Sequence, residues 1–563
     1  MGVSMNYQKF KEIVSQFSYN DVKEFLGDKL YNCIIEWSDS DSSYSHGRLV
    51  DILVSINGFG LFSKRQFRNR FFQSVPLRDL QYLLNSNDSN YGRLAKIASS
   101  IDFNNNDFYR KLFSDVLGCA DYEFDDDNME SRHTILDGTS EKFFELLDYQ
   151  YLIKQQTLYE LEYKSDIGRR VLIHMPTGTG KTKTAMHILT HYLNFLRNDG
   201  IVLWVAHTNE LLGQALSTFE QVWGHLGLSS ISIEKSWGQG EYLIDQGVVF
   251  ITIQALQSLK KSRAAQYEEL RKKTCLVIYD ECHKIGAFET KKIVKDFSQS
   301  EIGKRRDFIG LTATPGRTTE YSGENQLFSE FFDRIIRIDT DLVNRINMGP
   351  NSAINAETVT DIISYFQKRR ILSRLIKQPL TYSVDTEIQE KIEQELKYNR
   401  EDFSKSLVTK IANNKARNTV ILNKLKELNK AGVPTIVFAC SLDHAKMLSA
   451  FLNLENIPNS LVHSELSRAA RKRAISDFKD RNSSVNIIIN FDILTTGFDS
   501  TNIDCVFITR PTKSVILYSQ MIGRGLRGPQ MGGSETCLLI DVQENIKAYD
   551  ENSAFAHFNS YWR

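Results

Sequence analysis

The sequence predicts an α/β chain of two parallel-sheet domains preceded by a helical domain, and three observations carry that expectation. The first is Val171–Thr184, VLIHMPTGTGKTKT: an apolar run that reads as a buried strand, a glycine-containing loop, and the start of a helix. The second is Cys275–Gly286, CLVIYDECHKIG, a strand that ends in paired acids. About a hundred residues separate Lys181 from Asp280, which suits a single parallel-sheet domain. The third is a new strand–turn–helix series that begins at Pro434. It runs through TIVFACSLDHAKML, VNIIINFDILTTGFDS and IDCVFITRPTKSVILYSQMIGRGLRG to Gly528. The domains expected are a helical accessory domain over 1–140, a first sheet domain over 141–340, a helical connector or insertion over 341–430, and a second sheet domain over 431–563.

A chain of 563 residues is too long for one core. Its 41% apolar and 25% charged residues are those of an ordinary globular protein. Lys+Arg and Asp+Glu both number 69, so the net charge is zero, and any polyanion must bind through local positive charge. The seven cysteines form no CxxC pair, which argues against a zinc finger or a disulfide framework and suits a reducing, cytoplasmic setting. No apolar run approaches the length of a membrane span, and MGVSMNYQKF lacks the apolar core of a signal peptide.

Residues 1 to about 140 read as a series of amphipathic helices, including YQKFKEIVSQF, GRLVDILVSI and DFYRKLFSDVLG. The stretch KRQFRNRFF, Lys64–Phe72, has two readings. Arg65, Arg68 and Arg70 contact phosphates, or Phe67, Phe71 and Phe72 enter a core and the arginines face solvent. DYEFDDDN reads as a solvated loop.

The Val171–Thr184 stretch has the chemistry of a phosphate cradle. Gly178 and Gly180 let backbone amides turn inward between Thr177 and Thr179, and the helix beginning near Lys181 directs its positive end at the same place. Lys181 is placed to reach β- and γ-phosphates, and the Thr182 hydroxyl to ligate Mg²⁺. Asp280 would hold the metal through water, and Glu281 would orient and deprotonate an attacking water. His283 is expected to link the acid pair to the second domain. Thr312 and Thr314, in GLTATPGR, offer hydroxyls that relay the state of the phosphate site.

IVLWVAHTNELLGQ and VVFITIQALQSL each run from a buried strand into a polar turn and a helix. His207, Thr208, Thr252 and Gln254 are placed there to contact a nucleic-acid backbone, or the threonines simply cap helices. In the second domain, Arg468, Arg471, Lys472 and Arg473 form a cationic run suited to a phosphate backbone. Gln520, Arg524 and Arg527 fall at i, i+4 and i+7, one helix face, and read as a group that crosses to the γ-phosphate.

In this order the stretches resemble the motifs of superfamily-2 helicases and translocases, over roughly residues 146–545. GLTATPGR, TTGFD and RPTKSVILYSQMIGRGLR look most like the RadD-like and XPB-like branch near the restriction-enzyme translocases, without the paired cysteines of a RadD-type zinc site. The box reads DECH. The resemblance implies two RecA-like domains with ATP and Mg²⁺ between them, adenine recognition by Gln150, Gly497 and Asp499 near the ribose, and Thr495 near nucleic-acid phosphate. It further implies a nucleic-acid-stimulated ATPase acting on DNA, in repair or phage defence, with any cutting supplied by a separate nuclease or effector subunit. The alternative is an ATP-switched nucleic-acid-binding scaffold, or an RNA helicase without processive unwinding.

Overall fold

The computed structural model describes residues 7–37, 45–119, 133–138, 144–162, 168–196, 200–236, 244–285, 288–299, 305–313, 330–347, 361–383, 386–398, 402–495 and 502–544. Residues 7–119 are helical. Helix His46–Asn57 buries Leu49, Val50, Ile52, Leu53, Val54 and Ile56, which lets it pack on more than one side. Phe10, Phe59, Phe62, Phe67 and Phe71 are all buried, and the Phe62 and Phe71 rings meet edge to face at 4.7 Å. KRQFRNRFF forms helix Arg65–Phe72, with Phe67, Phe71 and Phe72 in this core. Neither reading of its arginines holds for Arg68. That side chain is 6% exposed and donates to the carbonyls of Phe62 (2.7 Å) and Ser99 (3.2 Å), so it ties two elements together from inside. Arg70 pairs with Asp21 at 2.9 Å.

The first sheet has eight strands: β1 His133–Leu136, β2 Arg170–His174, β3 Ile201–Ala206, β4 Ile231–Ser236, β5 Gly247–Thr252, β6 Thr274–Tyr279, β7 Asp307–Thr312 and β8 Arg334–Arg337. Their order is β1-β4-β5-β3-β6-β7-β2-β8. All pairings are parallel except β1 on β4. Every residue of β3, β5, β6 and β7 is buried, as in a parallel sheet covered on both faces. β1 lies upstream of the expected boundary at 140/141, so the edge strand of this domain comes from the stretch read as accessory. Four residues alternating weakly in polarity carry little strand signal of their own, and β4 supplies the pairing.

The second sheet is parallel throughout, in the order β11-β12-β10-β13-β14-β9. Its strands are β9 Arg374–Tyr382, β10 Thr435–Phe438, β11 Asn459–Val462, β12 Ile487–Asn490, β13 Cys505–Ile508 and β14 Thr536–Glu544. β9 corrects the reading of 341–430 as helical connector: these residues add an edge strand to the second sheet. Polar Lys377, Gln378 and Pro379 hide the strand pattern there, and an edge strand tolerates them because one side needs no partner. Helix Lys415–Lys430 belongs to the same domain, where buried Arg417 donates to the Thr509 carbonyl. Helices Thr386–Tyr398 and Lys405–Ala412 form a small hairpin around Ile388, Ile392, Leu407 and Ile411.

The helical region packs on the second sheet domain, although the chain leads from it into the first. Its apolar residues share one cluster with Leu448, Phe451 and Val437. Asn453 Nδ2 donates to Ser55 Oγ at 2.9 Å, and Lys29 pairs with Asp443 at 3.3 Å.

Candidate active site

β2 delivers the chain to the loop Met175–Gly180, which opens onto helix Lys181–His191. Gly178 and Gly180 hold φ of 85° and 81°, the left-handed region that glycine enters without strain. The loop is held from beneath: the Thr179 carbonyl accepts from Tyr149 Oη at 2.8 Å and from Gln150 Nε2 at 2.9 Å. Thr179 Oγ1 donates to the Pro176 carbonyl at 2.7 Å. Thr177 and Thr182 are half-buried at the two ends of the cradle. Gln150 is tied to the loop itself. It is 1% exposed, and its Oε1 also accepts from Leu147 N at 2.9 Å, so the amide braces the loop. Tyr149 was not singled out by the sequence, although it adjoins Gln150.

β6 ends beside this loop. Asp280 N donates to the Val205 carbonyl at 2.8 Å, which fixes the strand tip, and Asp280 Oδ1 accepts from Glu281 N at 2.9 Å. Glu281 takes φ of 52°, a costly conformation for a residue with a side chain. Its Oε1 lies 3.2 Å from Lys181 Nζ. Its Oε2 is buried with no hydrogen bond of good geometry, 3.2 Å from His283 Nδ1. Burial raises the Asp280 carboxyl against the pull of Lys181. Burial also acts to raise Glu281, but Lys181 and His283 outweigh it and hold that carboxyl well below its ordinary range. Burial disfavours the Lys181 ammonium, and Glu281 and Asp280 more than restore it. The result is one firmly ionised carboxylate, one firmly protonated lysine and a second acid whose charge invites a cation.

His283 is 4% exposed and joins the two domains. Its Nδ1 lies 3.2 Å from the buried Thr312 hydroxyl, and its Nε2 lies 3.4 Å from Gln520 Nε2 of the second domain. Its two ring nitrogens thus face different domains, Nδ1 toward Thr312 and Glu281 and Nε2 toward Gln520.

Gln520, Arg524 and Arg527 do not share one helix face, which corrects the spacing argument. Helix Val515–Ile522 stops before Gly523; Arg524 follows in a turn, and Arg527 pairs with Leu372 in an isolated bridge. The glycines explain the break. A Cβ on Gly523 would lie 2.3 Å from Thr177 Cγ2, so only glycine lets this turn close on the phosphate loop. Burial depresses Arg524 to about 10, while Glu281 across the cleft acts in the opposite direction. Burial likewise lowers Arg527 to about 10, and Arg527 in turn lowers Lys479 of its own domain, beside the larger effect of burial there.

A nucleoside triphosphate with Mg²⁺ fits this donor set. Lys181 and the loop amides would hold phosphates, Thr182 and Asp280 would hold the metal, and the buried, unbonded Glu281 Oε2 is placed to take a proton from water. The metal would supply charge neutralisation at the phosphates.

The nucleic-acid candidates follow the C-terminal ends of strands, β3 and β5 in the first sheet and β11 and β12 in the second. Thr208 caps helix Asn209–Leu226 by accepting from Leu211 N at 3.3 Å, and Thr252 caps helix Ile253–Ser262 by accepting from Ala255 N at 3.1 Å. His207 Nε2 lies 3.1 Å from Tyr279 Oη, and Gln254 is exposed. Thr495 is buried and donates to the Asp492 carbonyl at 3.0 Å. Arg471 is engaged with Glu210 of the first domain, a partner the sequence did not suggest. Thr314, Gly497 and Asp499 lie outside the described residues.

Residues 143–317 match the family model for the type III restriction enzyme res subunit, and residues 417–528 match the helicase conserved C-terminal domain. The chain belongs to the superfamily-2 helicases. Its two sheets are the RecA-like pair of that family, with the DECH box and the arginine turn on opposite walls of the cleft. It is similar to a putative mitochondrial ATP-dependent helicase, irc3, of Schizosaccharomyces pombe: 27% identical over 67% of this chain and 54% of that protein. The ATP-dependent DNA helicase MPH1 of Vanderwaltozyma polyspora is 27% identical over 51% of this chain and 24% of its own length. The type I restriction enzyme EcoAI endonuclease subunit of Escherichia coli is 23% identical over 69% of this chain and 45% of its own. The chain spans about half the length of the irc3-type curated relatives it matches. Restriction subunits are among the relatives, as the resemblance implied, and the irc3 and MPH1 helicases are relatives that the motifs alone did not name.

Proposed function

We propose that this superfamily-2 protein hydrolyses ATP with Mg²⁺ between its two RecA-like domains and uses the cycle to translocate on or unwind DNA. The observation that carries the reading is the Lys181–Glu281 ion pair beside the phosphate loop, with His283 reaching from it to Gln520 of the second domain. Lys181 positions the terminal phosphates, ionised Glu281 accepts the proton of the attacking water, and Arg524 and Arg527 oppose charge that develops on the transferred phosphoryl group. His283, held by Thr312 and Gln520, reports the second domain's position to Glu281.

DNA as the track is favoured by relatives whose names include a DNA helicase and restriction-enzyme subunits. Any cutting belongs to a partner, because outside the ATPase motifs the sequence carries no convincing nuclease pattern. Repair or phage defence is the setting that fits those relatives. Seven free thiols suit a reducing, cytoplasmic compartment. Among the described residues no helix is long and apolar enough to cross a membrane.

Glu281→Gln tests the base. It keeps the side-chain shape and loses the proton acceptor, so the variant should bind ATP, retain nucleic acid and turn over at least about a hundredfold more slowly. Turnover equal to wild type would remove Glu281 from that role.

A further inference from the structure

Arg471 lies in the first turn of helix Arg468–Lys479 in the second domain, and Glu210 in the first turn of the 18-residue helix Asn209–Leu226 in the first. Their side chains meet across the cleft, guanidinium Nη1 to carboxylate Oε1. The contact joins the two stretches whose polar residues are expected to face a nucleic-acid backbone. It is also incomplete. Arg471 Nε is buried and has no hydrogen-bond partner, so Glu210 engages one edge of a group built for two parallel bonds. A carboxylate at a helix N-terminus takes the position and the dipole that favour a phosphate.

We propose that Glu210 is a built-in phosphate mimic that occupies Arg471 until a nucleic-acid phosphate displaces it. This rests on the reading of Arg471 as part of the nucleic-acid groove. The incoming phosphate offers two oxygens and satisfies the buried Nε together with Nη1. Glu210, about one-third exposed, rotates toward water, where an ionised carboxylate is well solvated. Because the same ion pair ties helix Arg468–Lys479 to helix Asn209–Leu226, its exchange changes how the domains are held at the moment the track is bound. Glu210 therefore sets nucleic-acid affinity as a positioning residue and is not itself a contact to the track.

The test is binding of a labelled single-stranded DNA oligonucleotide, with a matched RNA beside it, at fixed salt to the full-length wild type, Glu210→Gln, Arg471→Gln and the double variant. Glu210→Gln removes the competing charge and should bind about two- to fivefold more tightly, the scale of one partly exposed ion pair. Arg471→Gln should bind more weakly. The double variant should match Arg471→Gln, because with the arginine gone there is nothing for Glu210 to block. Equal or weaker binding by Glu210→Gln, or tightening that persists in the double variant, would overturn the gate while leaving the helicase reading intact. Wild-type protein that binds neither probe would overturn both.

Discussion

At the scale of single residues the cleft is organised by which charges face which. Arg524 lies buried in the turn that closes on the phosphate loop, where the Glu281 charge acts on it, whereas Arg527 perturbs Lys479 on its own side. Arg524→Lys keeps the charge but loses the planar fork, and it should lower kcat by about a hundredfold with little change in melting temperature. Arg527→Lys should act in the same direction more weakly. A fall in melting temperature with normal residual turnover in either variant would make that arginine structural. A second residue-scale consequence concerns acid stability. His444 is 2% exposed, its Nδ1 accepts from Cys440 N at 3.2 Å, and burial holds it down at about 3. A histidine depressed in the fold is neutral there and takes up a proton on unfolding. The stability it contributes is therefore present above its ordinary value of 6.5 and is lost as pH falls from there toward about 3. Between pH 7 and pH 5 the loss is about 2 kcal/mol. Melting temperature should fall over that range, and less steeply in His444→Asn; parallel slopes would dismiss the assignment.

At the scale of elements, the turn after helix Val515–Ile522 decides whether the second domain can touch the phosphate loop. Gly523→Ala places a methyl group 2.3 Å from Thr177 Cγ2. Thr177 must shift, and ATP turnover should fall at least about tenfold while the sheets remain folded, as read by kcat beside circular dichroism. Undiminished turnover would show that the turn and the loop separate during the cycle. What was legible in the sequence follows from the same local physics. The phosphate loop, the DECH box and the buried strands announce themselves because glycine, paired acids and β-branched runs each have few structural uses. The helix face expected for Gln520, Arg524 and Arg527 fails because spacing alone does not weigh Gly523 and Gly525 within it. β1 and β9 were missed because each is an edge strand whose pairing comes from a distant partner. Gln150 is expected to recognise adenine and Arg471 to meet a nucleic-acid backbone, and the partners they have here, the Thr179 carbonyl and Glu210, are tertiary and leave no local trace.

At the scale of the whole molecule, the helical region and the second RecA-like domain share one apolar cluster and form one body as far as packing is concerned. Deleting residues 1–119 would uncover the face of helix Leu442–Leu454 that packs against helix His46–Asn57. The truncated protein should aggregate or melt well below the full chain; an unchanged melting temperature would show the two parts to be independent. With a net charge of zero, attraction to a polyanion is local, so DNA binding should weaken by roughly one log unit per log unit of salt for each phosphate neutralised. The central claim is that ATP is hydrolysed in the cleft between the domains in response to DNA. Its most direct test is steady-state ATP turnover with Mg²⁺, for wild type and Lys181→Ala, in the presence of single-stranded DNA, duplex DNA or matched RNA. Turnover stimulated by DNA in the wild type and reduced by orders of magnitude in Lys181→Ala is the expected result. More than about a tenth of wild-type kcat surviving in Lys181→Ala, or stimulation by RNA and not by DNA, would contradict it.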